Sequence, residues 1–241
     1  MDIKFSGSNP VRVAILQPSY LPWIGYFDQI SLVDRFIYLD DVQFTRRDWR
    51  NRNKIRTADG WSWLTIPIVQ KKRFAQSLLE TQIDPASNWK TKHLNTIRHN
   101  YAKTPYFDLY FPKIETIINR DWDLLPNLCL ELTENLKEWL GISTPTLRSS
   151  ELAVEEKKGD KILSLCRRLE ATHYLTGDLA KDYLNESEFL SYNIQLEYHQ
   201  YSHPSYLQRY EGFVPYMSII DLLFNEGEKS LEILKQNRPQ S

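Results

Sequence analysis

The stretch Val11 to Asp28, VRVAILQPSYLPWIGYFD, constrains the fold more than any other. Val11-Arg12-Val13-Ala14-Ile15-Leu16 is a short apolar run of the length of a buried strand. Gln17-Pro18 stops it, and Pro22 and Gly25 keep the following residues irregular. Tyr26 to Val33 then reads as a helix ended by Asp34. A strand, a polar aromatic loop and a helix in succession form the unit that opens an α/β sheet. Such sheets place ligands at the carboxyl ends of their strands. The free N–H groups of a helix start make an anion the natural guest. Gln17, Tyr20, Gly25 and Tyr26 are therefore candidate ligand-binding residues. A purely structural turn, with Tyr20, Trp23 and Tyr26 as packing, is the competing reading.

Later segments repeat the pattern. Arg35-Phe36-Ile37-Tyr38-Leu39 is a second strand, followed by Asp40-Asp41. Paired acids at a strand end suit a Mg²⁺ ion or proton transfer. Neighbouring strand residues point to opposite faces, so only one acid reaches a given cleft. Asp41 is the catalytic candidate of the two, and both are candidate Mg²⁺ ligands. The run Arg46 to Lys54, RRDWRNRNK, holds five cations. Arg47, Asn51 and Asn53 are candidate anion contacts and Lys54 a candidate catalytic cation. A solvated charged face is the bland alternative, as it is for Lys71-Lys72-Arg73. A hairpin across Ala58-Asp59-Gly60 leads into the strand Trp61 to Ile68.

Residues 89–140 show helical periodicity and no strand signal. Three helices are expected, Trp89 to Asn100, Phe107 to Ile118 and Leu124 to Leu140, with Asn88 capping the first. Lys90 and His93, one helical turn apart, are candidate cleft residues. Beyond Gly141 come a strand at Thr146-Leu147-Arg148 and a turn at Ser149-Ser150-Glu151. A helix from Lys161 to Leu169 follows, then a strand at Thr172 to Leu175. Thr176-Gly177-Asp178 and a helix starting at Leu179 restate the opening unit. Thr176, Gly177 and Lys181 are candidate phosphate or carboxylate contacts. After the strand Gln195 to Tyr198, the loop HQYSHPSYLQRY offers His203 as a candidate base. Tyr206 and Gln208 are candidate lining residues there. Ser218 caps a helix from Ile219 to Phe224, and Ser230 to Leu234 forms the last. The whole implies one α/β domain over 1–241, a parallel sheet flanked by helices with 89–140 as a mainly helical subdomain.

Composition excludes several classes. Net charge is −1, so no global field attracts nucleic acid. No apolar run approaches the roughly 20 residues of a membrane span. The opening MDIKFSGSNP lacks the apolar core of a signal peptide. Cys129 and Cys166 lie inside apolar helical patterns and read as buried thiols. A cytoplasmic protein with small-molecule substrates, no nucleic-acid partner and no membrane insertion is expected. Seven Trp, fourteen Tyr and ten Phe, many beside polar groups, fit a site for sugars, nucleotides or partners.

The blocks QPSYLPWIGYFDQI, DDVQFTRRDWRNRNKI, WLTIPI, YLTGDLAKDYL and HPSYLQRYEGFVPYMSIIDLLFNEG, in that order, resemble the WbqC-like protein family. The resemblance spans nearly the whole chain. It implies a bacterial protein of O-antigen and surface-polysaccharide gene clusters, often beside amino-sugar enzymes. The opening βα unit is also similar to the nucleotide-binding turn of nucleotidyltransferases and pantothenate-synthetase-like ligases, which implies a Rossmann-like, HUP-type fold. Those proteins carry two histidines in the loop, where Tyr20 and Tyr26 stand here. Lys54, Arg47 or Lys181 would then have to neutralise phosphate. Three readings follow. One is acyl or aminoacyl transfer to an amino sugar or sugar nucleotide from an acyl or aminoacyl donor. Another is a nucleotide-dependent ligase or nucleotidyltransferase, with Mg²⁺ near Asp40-Asp41. The third is a non-catalytic sugar-nucleotide-binding module.

Overall fold

The computed structural model describes residues 10–45, 48–69, 76–182 and 184–238. Arg46, Arg47 and Lys71-Lys72-Arg73 lie outside the described residues. The chain divides into two compact units. The first comprises the described part of Met1–Gln17 with Gln29–Asp40 and Thr144–Gln200, and the second Pro18–Asp28, Asp41–Ser143 and the described part of Tyr201–Ser241.

The first unit holds a five-stranded sheet, β1 (Arg12–Leu16), β2 (Arg35–Tyr38), β5 (Thr146–Arg148), β6 (His173–Thr176) and β7 (Gln195–Tyr198). Every pairing is parallel and the spatial order is β5-β2-β1-β6-β7. This is the Rossmann-like α/β arrangement that the sequence implies. Parallel strands are buried on both faces, which is why β1 and β2 read as near-continuous apolar runs. Val13, Ala14, Phe36 and Ile37 are fully buried. Helix α5 (Lys158–Arg168) turns Ile162, Leu165 and Cys166 into a core shared with Val13, Ile15 and Tyr174. Its start lies three residues before the expected Lys161. Helix α6 (Glu186–Ser191) was not expected, because only Phe189 of its six residues is buried. Phe189 stacks on Tyr174 with ring centres 5.9 Å apart.

The second unit contains the hairpin β3 (Arg52–Thr57) and β4 (Gly60–Thr65), joined across the expected turn. The last three residues of the charged run, Arg52 to Lys54, are thus strand rather than loop. Helices α2 (Trp89–Tyr101), α3 (Phe107–Asn119) and α4 (Leu125–Trp139) match the expected triplet within a residue or two. Leu125, Leu128, Leu132 and Leu136 of α4 recur at helical spacing and are fully buried. Asn88 precedes α2 but makes no side-chain capping bond. Ser218 does cap α7 (Ile219–Glu226), accepting from the Ile220 N–H, and α8 (Ser230–Lys235) follows. Helix α1 (Ile24–Ser31) begins two residues earlier than Tyr26, in the second unit, and its last three residues belong to the first. No helix among the described residues is long and apolar enough to cross a membrane. Both thiols are buried and free, and burial pushes each up well beyond the usual thiol range.

Candidate functional site

Strand order fixes the first place to look. From β1 the sheet grows one way to β2 and β5, then restarts on the other side of β1 with β6 and β7. Ligands of doubly wound sheets sit outside the carboxyl ends at this switch point. Here those ends are Leu16-Gln17 and Thr176-Gly177. Gln17 is half-buried. Thr176 is 4% exposed, and its side chain makes no hydrogen bond among the described residues. Gly177 has no atom within 4 Å of where a Cβ would stand, so open space lies above its backbone. Just beyond, Asp178–Asp182 forms a 3₁₀ turn in place of the expected α-helix start. Lys181 pairs with Asp178 at 2.8 Å, and its ammonium lies 4.6 Å from the ring centre of Tyr198. The hydrogen bond to Asp178 raises the Lys181 pKa, which keeps a cation beside the strand ends.

The far side of the same edge is closed by the protein itself. Asp40 is fully buried. Its carboxylate accepts from Arg148 Nε at 2.6 Å, Ser149 Oγ at 3.2 Å, Ser150 Oγ at 3.0 Å and the Ser150 N–H at 3.0 Å. The Asp40 N–H in turn donates to Ser149 Oγ. The carboxylate therefore fills the anion position at the start of the Ser149–Glu151 turn and ties β2 to β5. A Mg²⁺ ion would have to displace a guanidinium to reach it. Among the described residues no group of three or more His, Cys, Asp and Glu side chains could hold a metal ion. Arg148, Ser149 and Ser150 carry no local mark of this role, since their partner lies more than a hundred residues away.

The other candidates belong to the second unit. Asp41 is half-buried there. Tyr20, Asn53 and His93 form one buried cluster. The Tyr20 hydroxyl is 2.9 Å from His93 Nδ1, and His93 Nε2 is 3.1 Å from the Thr65 carbonyl. A carbonyl only accepts, so Nε2 carries the proton and Nδ1 accepts from the phenol. Burial lowers the His93 pKa to about 4 and pushes Tyr20 well up, so both are neutral near pH 7. The Asn53 amide donates to the carbonyls of Tyr20 and Leu21. Leu21 itself sits at φ +43°, in the left-handed region. Asn53 thus braces a strained loop. A Cβ at Gly25 would overlap the far end of the Trp23 indole, so a larger residue there would have to move that ring. Burial also raises the Tyr26 pKa, opposed by the nearby Arg50. Asn51 donates to the Ile66 carbonyl, while its buried Oδ1 finds no partner among the described residues. Lys90 donates to the Arg120 carbonyl on the rim of α2.

His203, Tyr206 and Gln208 turn inward to the protein. His203 Nδ1 donates to the Pro204 carbonyl and Nε2 accepts from the Tyr216 N–H, so neither nitrogen is left for proton transfer in this geometry. Desolvation lowers its pKa. Tyr206 and Gln208 both donate to Asp221 Oδ2 at 2.8 Å, and Tyr101 donates to Oδ1 at 2.8 Å. Asp221 is fully buried, and desolvation raises its pKa. This acid, missed from sequence, is the hub that holds the loop to α7. Lys54 stands apart, on the open face of the β3–β4 hairpin, where its ammonium lies 4.2 Å from the Trp61 ring centre.

A model described as the WbqC-like protein family matches residues 17–233. A relative described as "Uncharacterized protein Rv1507c", from Mycobacterium tuberculosis (strain ATCC 25618 / H37Rv), is 37% identical over 229 residues. The alignment covers 94% of this chain and 99% of that protein. No solved structure matches.

Proposed function

Since the chain belongs to the WbqC-like protein family, we propose that it is an enzyme of bacterial surface-polysaccharide synthesis that modifies an amino sugar carried on a nucleotide. The reaction proposed is transfer of an acyl or aminoacyl group to the sugar amine. The amine forms the new C–N bond, the donor's leaving group departs with the electron pair of the broken bond, and the amine proton goes to solvent or a base. The observation that carries the reading is the strand order of the parallel sheet, with its switch point between β1 and β6. In this reading the Gly177 backbone receives a phosphate, which the open space above it permits. Thr176 supplies a hydroxyl and Lys181 a cation from the following turn.

Titration calorimetry with UDP-, dTDP- and GDP-linked amino sugars tests the binding half. One of them should bind saturably, and Gly177→Val should weaken it at least tenfold while leaving the fold intact. Incubation with that nucleotide and acyl-CoA or aminoacyl donors, read by product mass, tests the chemistry. A sugar nucleotide bound tightly with no mass gained from any donor would make the chain a binding module. No binding by any nucleotide, or equal binding by Gly177→Val, would end the reading.

A further inference from the structure

The β3–β4 hairpin presents a face that the reading above does not use. Register places Lys54 opposite Trp63 and Arg52 opposite Thr65. Directly opposed residues share a face, so Arg52, Lys54, Trp61, Trp63 and Thr65 all project to one side. Trp49 joins them from the preceding turn, its ring centre 5.3 Å from that of Trp63. Lys54 Nζ lies 4.2 Å from the Trp61 ring centre, 5.4 Å from Trp63 and 5.8 Å from Trp49. The Arg52 guanidinium lies 4.2 Å from the Trp63 ring centre. Trp49 is 38% and Trp61 44% exposed. Lys54 has no carboxylate partner among the described residues.

We propose that this face is a binding surface for a phosphorylated pyranose. Adjacent exposed indoles are costly to leave in water and are common at recognition surfaces. The cations say that the guest is anionic: an ammonium with no carboxylate partner among the described residues and a guanidinium stand among the rings. Ring geometry separates a sugar from a nucleobase. Trp49 and Trp63 are inclined at 51°, and Trp61 and Trp63 at 84°. Such rings form an angular cradle and not the parallel slot that would clamp a flat base. A pyranose can lay its C–H faces against inclined indoles while its phosphate meets Lys54. The exposed Thr65 offers a hydroxyl at the rim. This inference does not rest on nucleotide binding at the parallel sheet.

Intrinsic tryptophan fluorescence with glucose 1-phosphate is the test, with glucose, inorganic phosphate and AMP as comparisons. Glucose 1-phosphate should give a saturable change and bind at least tenfold more tightly than any of the three. Trp61→Ala and Lys54→Gln should each weaken it at least tenfold, with circular dichroism unchanged. Trp61→Phe should restore part of the loss, and Gly177→Val should leave it unaltered. Equal response to phosphate alone, stronger response to AMP, no saturable change, or an unaffected Trp61→Ala variant would each overturn the proposal. Should the alanine variant fail to fold, Lys54→Gln alone decides.

Discussion

At Asp40 a buried carboxylate meets a guanidinium, two hydroxyls and a backbone N–H; at Asp221 one meets two phenols and an amide. Both are fully buried, and both tie together segments far apart in sequence. The difference lies in where the balancing charge comes from. Arg148 brings a formal cation to 2.6 Å of Asp40. None of the three side chains bonded to Asp221 carries a charge, and the Arg56 guanidinium, bonded to the carbonyls of Thr57, Gly60, Glu211 and Gly212, acts on Asp221 only as a nearby charge. Desolvation therefore dominates at Asp221 and raises its pKa, with the hydrogen bonds opposing. A polar cluster in a sequence does not say which kind it will become, because the deciding partner comes from elsewhere in the chain.

The largest effect should come from breaking the charged cluster. Asp40→Ala leaves Arg148 beside a buried void and should cost about 3 kcal/mol in urea unfolding at pH 7. Asp221→Asn swaps a carboxylate that resists ionisation for a neutral isostere and should cost only about 1–2 kcal/mol. The reverse order would erase the distinction.

Titration sharpens it next. The depressed His93 pKa means that the unfolded chain takes up a proton before the native one does. Stability from neutral His93 is fully present above pH 6.5 and is lost as pH falls toward about 4, by up to about 3 kcal/mol. Asp221 works in the opposite sense. Its raised pKa gives stability that is present at low pH and is lost as pH rises through its native value. His93→Asn should remove the acid-side decline, and Asp221→Asn should steepen it. Profiles of unfolding free energy against pH that neither substitution changes would show that these groups do not govern the dependence.

The smallest effect on stability belongs to the sheet edge. Gly177 lies outside the left-handed region and has open space, so Gly177→Val should move the unfolding free energy by no more than about 0.5 kcal/mol. A large loss would mean that the glycine serves the fold and would weaken the case for a ligand there.

Much of the parallel sheet was legible because its strands are apolar on both faces. Val13 to Ile15 and Phe36-Ile37 stood out at close to their observed bounds for that reason, whereas Gln195–Tyr198, with only Leu196 buried, is a polar edge strand. The order of the strands was not, since residues 41–143 separate β2 from its neighbour β5. Strand β3 was disguised. Its buried positions include Asn53 and Arg56, which donate to backbone carbonyls and break the apolar alternation. Site residues were harder still. Tyr206 and Gln208 have the look of ligand contacts because hydrogen-bonding aromatic loops are built from the same residue types whether they hold a guest or Asp221. Gln17, Thr176 and Gly177 drew notice because each follows an apolar strand run, and only the strand order shows that the two runs are neighbours.

The six alternating stretches that build the two units carry a cost during synthesis. Strand β1 is made long before its β6 neighbour, which begins at His173, and β7 ends at Tyr198. An apolar strand therefore keeps an open edge until those segments are synthesised, an exposure that favours aggregation. No single cut through the gene would deliver either half as a self-sufficient fragment.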